Sequence, residues 1–184
     1  MRKERGRRSP AWLEVEVRLA ATDREFVAGA LRQVRYEPLA VADRCPEGHP
    51  RVVVGFYGRG VSTTLYWITC PELLAQISAM ESEGGVLRIQ ETLAADSSLA
   101  RAFARSQELY RRMLYSFFRR ELPELDPGRY LAPVRGVGGV TDAQRVKCLH
   151  AHVAFTLATG RGPAGALALT QLGYTRGPDG RWDR

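Results

Sequence analysis

Three cysteines and three histidines are the residues of this chain best suited to metal binding or nucleophilic chemistry, and they cluster in three short stretches. The stretches contain Cys45 with His49, Cys70 alone, and Cys148 with His150 and His152. Thiolates and imidazoles are ligands that zinc prefers, and three thiolates can hold an iron–sulfur cluster with one open iron. Because every histidine accompanies a cysteine, the pattern predicts that the cysteines converge on one metal site, holding either zinc or an iron–sulfur cluster.

The predicted metal ligands are Cys45, Cys70 and Cys148, with His150 or His152 as the fourth. Cys148 and His152 are four residues apart and share one face of an ideal helix, whereas His150 points about 200° away. This favours His152 unless the helix begins near Cys148, so both histidines stay candidates. An open coordination position would allow sulfur-transfer or hydrolytic chemistry, and a closed site would be structural.

Two other interpretations of the cysteines stay open. Free cysteines are among the most buried residue types, so the three could be packing residues that share no site. The chain would then be a non-catalytic module that binds nucleic acid or an acidic protein partner. Alternatively, Cys148 is the nucleophile of a thiol enzyme, with His152 as its base. The sequence alone does not decide whether the chain is an enzyme.

Two basic residues, Arg145 and Lys147, stand just before Cys148 and follow a glycine-rich stretch at 136–139. A glycine-rich loop ahead of a helix can bind an anion through free backbone amides. The stretch lacks the GK[ST] signature of nucleotide-binding loops. We therefore expect Arg145 and Lys147 to bind an anionic small molecule or cofactor beside the predicted metal.

Hydrophobic periodicity and capping signals predict the elements that position these residues. Strands are predicted at 12–19, 39–42, 51–57 and 63–69. Helices are predicted from a capping box at Thr22, from Pro71, over 86–93, from Asp96 or Ser97 to Pro123, from Thr141 or Asp142 through 158, and over 164–172. A loop rich in proline and glycine, 123–139, separates the longest helix from the Cys148 segment.

Together these elements predict one α+β domain over residues 12–172, with a small antiparallel sheet of three or four strands packed against about five helices. A chain of 184 residues with 45% hydrophobic content is long enough for one core. Residues 1–11 are expected to be a disordered basic tail, and 173–184 a frayed C-terminal tail.

The charge is concentrated at the chain ends. Of the formal +7, residues 1–8 carry +4 and residues 161–184 carry +2, which leaves +1 for 9–160. A basic tail can bind nucleic acid weakly, but such tails are more often only solvated. No apolar run is long enough for a membrane helix or a signal peptide, so we expect a cytoplasmic protein. The oligomeric state is not indicated.

Three motifs give a family resemblance when they occur in this order: Cys45-Pro-x-Gly-x-Pro50, Thr64-Leu-Tyr-Trp-Ile-Thr-Cys-Pro71 and Arg145-Val-Lys-Cys-Leu-His150. They resemble the bacterial domain-of-unknown-function family numbered 501, over about 22–172. The resemblance implies no established activity. It supports grouping the three cysteines with His150, whereas the helix-face argument favours His152.

Overall fold

The computed structural model describes residues 19–31, 36–57 and 63–184. The tail predicted at 1–11 and nearly all of the strand predicted at 12–19 lie outside these residues.

Three strands form an antiparallel sheet in the order β1-β2-β3, the meander predicted from the sequence: β1 Tyr36–Arg44, β2 Pro50–Tyr57 and β3 Tyr66–Ile68. The central strand β2 is rich in valine, a β-branched residue suited to a buried pleated surface. Val52 packs into the main core on one face of the sheet, and Val53 packs with Val27 of the first helix on the other. The sheet is therefore covered on both faces.

The described residues contain seven α-helices, which with the sheet make a single α+β domain as predicted. They are α1 Ala21–Ala30, α2 Pro71–Ser82, α3 Gly85–Ala95, α4 Ser97–Glu121, α5 Pro127–Leu131, α6 Leu149–Thr159 and α7 Pro163–Gln171. A 3-10 turn at Val137–Gly139 precedes α6. None of the helices in the described ranges has the length and apolarity that crossing a membrane requires.

The core is built around α6 and the buried face of α4. Most residues of α6 are buried, whereas His150 near its start is only partly buried. A helix that is apolar nearly all round belongs in the interior, and α6 packs against α7, β3 and α2. The apolar stripe predicted for α4 is confirmed by the burial of Phe103, Tyr110 and Phe117.

The C-terminal residues form a packed hairpin, so the frayed tail expected at 173–184 is corrected. Strands β4 Thr175–Arg176 and β5 Trp182–Asp183 pair antiparallel, and Trp182 is buried in the main core. Arg51 of β2, itself buried, donates to the Trp182 carbonyl oxygen at 2.7 Å and to the Asp43 carboxylate at 2.5 Å. This polar link ties the hairpin to the sheet.

Two predicted helix starts are wrong. Helix α1 begins at Ala21 with Ala20 as its N-cap and no side-chain cap, so Thr22 does not form the predicted capping box. The helix predicted from Thr141 or Asp142 begins only at Leu149. The loop predicted at 123–139 also contains α5 and the 3-10 turn.

Candidate functional site

Cys148 is the N-cap of α6 rather than a residue inside a helix. Its backbone is extended, with φ −151° and ψ 148°, and the first helical residue is Leu149. The prediction that Cys148 and His152 share a helix face required a helix that had already begun, so that argument fails. His150, the histidine that the resemblance favours, lies in the first turn of α6, two residues after Cys148.

His152 lies in the core. Its side chain is 1% exposed, its ring centroid lies 5.5 Å from that of Phe103, and its Nε2 atom is buried without a hydrogen-bond partner among the described residues. Burial lowers the pKa of His152 to about 4, because a charged imidazole cannot be solvated there. His152 is therefore a neutral packing residue at neutral pH.

Lys147, Cys148 and His150 border one cavity of about 190 Å³. The other lining residues come from β3 and its approach, from α2, from the 3-10 turn and from α6: Thr64, Tyr66, Trp67, Ile68, Leu74, Gly138 and Ala151. Aromatic and aliphatic side chains dominate this lining, and the thiol, imidazole and ammonium groups stand among them. This composition is typical of a small-molecule pocket, although the volume is small.

Glu81 of α2 fixes the start of α6 and the ring of His150. Its Oε1 atom accepts the Leu149 amide, and its Oε2 atom lies 3.3 Å from His150 Nδ1. The other ring nitrogen, Nε2, lies 3.3 Å from the Ser78 hydroxyl, one helical turn earlier on α2. When Nδ1–H donates to the carboxylate, Nε2 is the nitrogen that accepts, and in the structure its neighbour is the Ser78 hydroxyl.

Burial, a carboxylate, two backbone amides and an ammonium group together set the charge state of Cys148. Burial raises the pKa of the thiol and is the largest cause; the carboxylate of Glu81 raises it further. The backbone amides of Ala151 and His150 and the ammonium of Lys147 lower it. Because burial prevails, the pKa lies above its ordinary value and the resting group is a thiol that needs a base.

The structure separates the two residues predicted to bind an anion. Lys147 borders the cavity, and its Nζ atom donates to the Gly138 carbonyl oxygen at 3.1 Å. Arg145 is exposed and lines a different, shallow depression beside α3.

Two amides of the glycine-rich stretch already have partners within the protein and are not open to an anion. The Val137 amide donates to the buried Gln107 side chain at 2.8 Å, and the Gly139 amide donates to the Gly136 carbonyl oxygen at 3.1 Å. A Cβ atom on Gly139 would lie 2.0 Å from Thr63 Oγ1. The stretch is therefore a tightly packed wall.

Cys45 and Cys70 lie at opposite edges of the sheet. Cys45 follows β1 and Cys70 follows β3, with β2 between them, so two interstrand spacings, about 10 Å in total, separate the strand ends. Cys70 caps the amino end of α2, whereas the Cys148 segment is anchored at Glu81, near the other end of that helix. The three cysteines do not form one cluster.

The described ranges, 19–31, 36–57 and 63–184, contain no group of three or more His, Cys, Asp or Glu side chains that could hold a metal ion. The donor set predicted from the sequence therefore does not fit a tetrahedral thiolate site in this part of the chain. Zinc or iron–sulfur binding stays a prediction, and no chemical step below depends on it.

His49, the histidine beside Cys45, packs against helix α1. His49 stacks on Phe26 of α1 with ring centroids 5.1 Å apart, and Arg44 joins the turn to Asp23 of α1 at 2.7 Å. The bidentate Arg44 contact lowers the pKa of Asp23. These contacts hold α1 against the β1–β2 turn.

Sequence reasoning missed Glu81, Ser78 and Trp67 as members of the site. Glu81 and Ser78 are single polar residues on an amphipathic helix, where solvent exposure is the usual explanation of such residues. The sequence around Trp67 indicates only a strand and a family motif. The one available signal was the resemblance, whose second and third motifs contain Trp67 and His150.

Comparison with known proteins identifies the family and no further relative. A family model described as "Protein of unknown function (DUF501)" matches residues 41–170, which include every residue lining the Cys148 cavity. No curated protein and no solved structure shows significant similarity to the chain. Since the match covers most of the sequence, the chain belongs to the family of proteins of unknown function numbered 501.

Proposed function

We propose that the chain is a thiol enzyme whose Cys148 attacks an electrophilic carbonyl carbon of a small, mainly apolar molecule carrying a negative group. One observation carries the proposal: Cys148, His150 and Lys147 border the same cavity, and Glu81 holds the His150 ring. A nucleophile, a base and a residue that orients the base are the parts of an activated thiol site.

In the proposed step, the S–H bond of Cys148 breaks and its proton passes to Nε2 of His150. The sulfur forms a bond to the carbonyl carbon, and the electron pair of the C=O π bond moves to the oxygen. The amino end of α6 carries partial positive charge, which favours the anionic groups formed there. The C=O π bond then re-forms as the bond from the carbon to the leaving group breaks, and the leaving group departs with the proton from His150. Water hydrolyses the resulting thioester on Cys148, which releases a carboxylic acid and restores the thiol.

The remaining lining residues support the proposed ligand class. Tyr66 and Trp67 offer apolar surface for a flat or aliphatic body, and the Lys147 ammonium offers a charge partner for an acidic group. The raised pKa of Cys148 fits a thiol that reacts only when a neighbouring base accepts its proton.

The test uses p-nitrophenyl acetate, a small aryl ester. We expect a rapid burst of one equivalent of nitrophenolate, with the acetyl group located on Cys148 by peptide mass spectrometry. Cys148→Ser should abolish the burst, and His150→Gln should slow it. The matched controls Cys45→Ser and Cys70→Ser should keep it. Equal acetylation of all three cysteines, or none of Cys148, would contradict the proposal.

A further inference from the structure

The longest helix exposes a straight row of arginines that the proposed thiol chemistry does not use. Helix α4 contains six arginines and two glutamates, a net charge of +4, although residues 9–160 together carry only +1. Four of the arginines recur at helical spacing on the solvent side and define the arginine face: Arg101, Arg105, Arg112 and Arg119. The domain as a whole is nearly neutral, so its excess of positive charge is concentrated on the surface of α4.

The arginine face is long and rigid. Its first and last members are 18 residues apart in one helix, which corresponds to roughly 27 Å at a helical rise of about 1.5 Å. The opposite side of α4 is fixed in the core by Phe103, Tyr110 and Phe117. The guanidinium groups thus project from a backbone that does not need to order itself upon binding.

Most of this charge is available to a partner. Within the described part of the chain, Arg105 and Arg119 have no ion-pair partner. Glu108 lies in the same row and binds both Arg111 and Arg112 at 2.8 Å, so this trio keeps one excess positive charge. Exposed ion pairs of this kind are weak and exchange readily for other anions.

We propose that the arginine face binds the phosphate backbone of a nucleic acid without sequence preference. Guanidinium groups match phosphate oxygens in a bidentate geometry, and about 27 Å corresponds to about eight base pairs of duplex. Tyr115, on α4 itself, is 39% exposed and offers a ring to unpaired bases.

A lipid surface fits this face less well. Helices that lie on membranes alternate basic residues with large apolar ones that insert below the headgroups. The large apolar side chains of α4 are buried in the core instead, and Tyr115 is the one large hydrophobic side chain of the helix that is prominently exposed among the described residues.

The experiment measures binding of a short, mixed-sequence, fluorescein-labelled duplex DNA to the full chain at several salt concentrations. The same measurement with duplex RNA and with single strands distinguishes the nucleic acid. We compare Arg105→Gln/Arg119→Gln with the control Arg161→Gln/Arg176→Gln, which removes the same charge from exposed sites outside α4. The double substitution on α4 should weaken binding. It should also make the slope of log K against log salt shallower by about 1.8, because each of the two lost phosphate contacts contributes about 0.9.

Glu108 provides the reverse test. Glu108→Gln frees two arginines and should tighten binding, whereas the control Glu83→Gln, at the residue that follows α2, makes the same charge change and should have little effect. Circular dichroism checks that all variants fold. The proposal is overturned if the α4 and control pairs behave alike, or if neutralising the basic residues of 1–8 alone abolishes binding. It is also overturned if polyglutamate or anionic lipid vesicles compete as well as unlabelled DNA.

Discussion

The Nδ1 atom of His150 lies 3.3 Å from the Oε2 atom of Glu81, so one carboxylate of α2 positions the first turn of α6. The same carboxylate raises the pKa of Cys148, whereas Lys147 lowers it. The groups around the thiol therefore act in opposite directions, and each can be tested by removing its charge.

Glu81→Gln should lower the pKa of Cys148, and Lys147→Gln should raise it. Because the thiolate is the reactive form, the pH profile of Cys148 alkylation by N-ethylmaleimide should move to lower pH in the first variant and to higher pH in the second. We expect several-fold changes in rate at a fixed pH below the pKa. Site-resolved mass spectrometry separates Cys148 from Cys45 and Cys70. Profiles that move in the same direction in both variants would contradict this electrostatic assignment.

The buried His152 should make stability depend on pH. Its pKa is about 4 in the folded protein, below the ordinary value of about 6.5, so the unfolded chain takes up the proton first as the pH falls. The stabilisation is complete above about pH 6.5 and is lost as the pH falls towards 4. Between pH 7.5 and 5 the loss from this group is about 2 kcal/mol.

The matched variant for this prediction is His152→Leu, which has no proton to gain. Urea unfolding should show that the difference in stability between the native chain and the variant changes by that amount across the same pH range. A difference that stays constant with pH would show that His152 is not the titrating group.

Arg51 should be one of the most sensitive polar positions. Arg51→Met would leave the Asp43 carboxylate, only 10% exposed, without its partner, and removing one member of a buried pair costs about 3–5 kcal/mol. The double variant Asp43→Asn/Arg51→Met removes both charges and should recover part of that loss. Chemical denaturation measures both. A cost for Arg51→Met below about 1 kcal/mol would mean that the pair is solvated.

Gly139 should tolerate no side chain. Gly139→Ala places a Cβ atom 2.0 Å from Thr63 Oγ1 and also strains a backbone with φ +74°. Gly48→Ala is the matched control, because its φ is +85° but no atom lies within 4 Å of the added carbon. We expect about 1–2 kcal/mol for the control, from strain alone, and a further 1–3 kcal/mol or so at Gly139. Equal costs would show that Thr63 moves aside freely.

The cysteines should respond unequally to substitution. If the three cysteines bound one metal, replacing any one of them would lower both the metal content and the stability. In the structure, Cys45 and Cys70 are separated by β2, and Cys148 lies at the start of another helix. We therefore expect Cys45→Ser, Cys70→Ser and Cys148→Ser to differ in thermal midpoint. Elemental analysis of anaerobically purified protein gives the metal content. Stoichiometric zinc or iron lost in all three variants would restore the metal centre.

Elements with strong local signals could be predicted from the sequence. Pro71 at the first position of α2 and Asp96 at the N-cap of α4 mark their helices through backbone chemistry that needs no distant partner. The Asp96 carboxylate accepts the Ser98 and Leu99 amides, as an N-cap should.

The segment before α6 could not be predicted in this way. Asp142 does accept the Gln144 amide, a local turn that looks like a helix start. However, Gln90 bonds both the Val146 amide and the Gln144 carbonyl oxygen, and Gln107 donates to the Ala143 carbonyl oxygen. These side chains, 36 to 56 residues away in the sequence, satisfy the groups that a helix would have paired internally.

The candidate site likewise has one part that could be predicted from the sequence and one part that could not. Lys147, Cys148 and His150 are neighbours in the sequence, so their proximity could be predicted, and the resemblance already pointed to His150. Glu81 is 69 residues before His150, and nothing in its own surroundings in the sequence distinguishes it from a solvated helix residue. The helix-face argument for His152 failed because the start of α6 depends on those same distant contacts.

The link between Arg51 and Trp182 also constrains how the protein is made. A ribosome finishes β2 long before it adds the hairpin, so the guanidinium of a nascent chain lacks its carbonyl partner until residue 182 emerges. Messenger RNAs that end shortly before the codon for residue 182 would yield chains in which the sheet is assembled. In these chains Arg51 would contact Asp43 but would lack the Trp182 carbonyl oxygen. Such products should be preferred substrates of cellular proteases, because the guanidinium of Arg51 stays buried without its carbonyl partner.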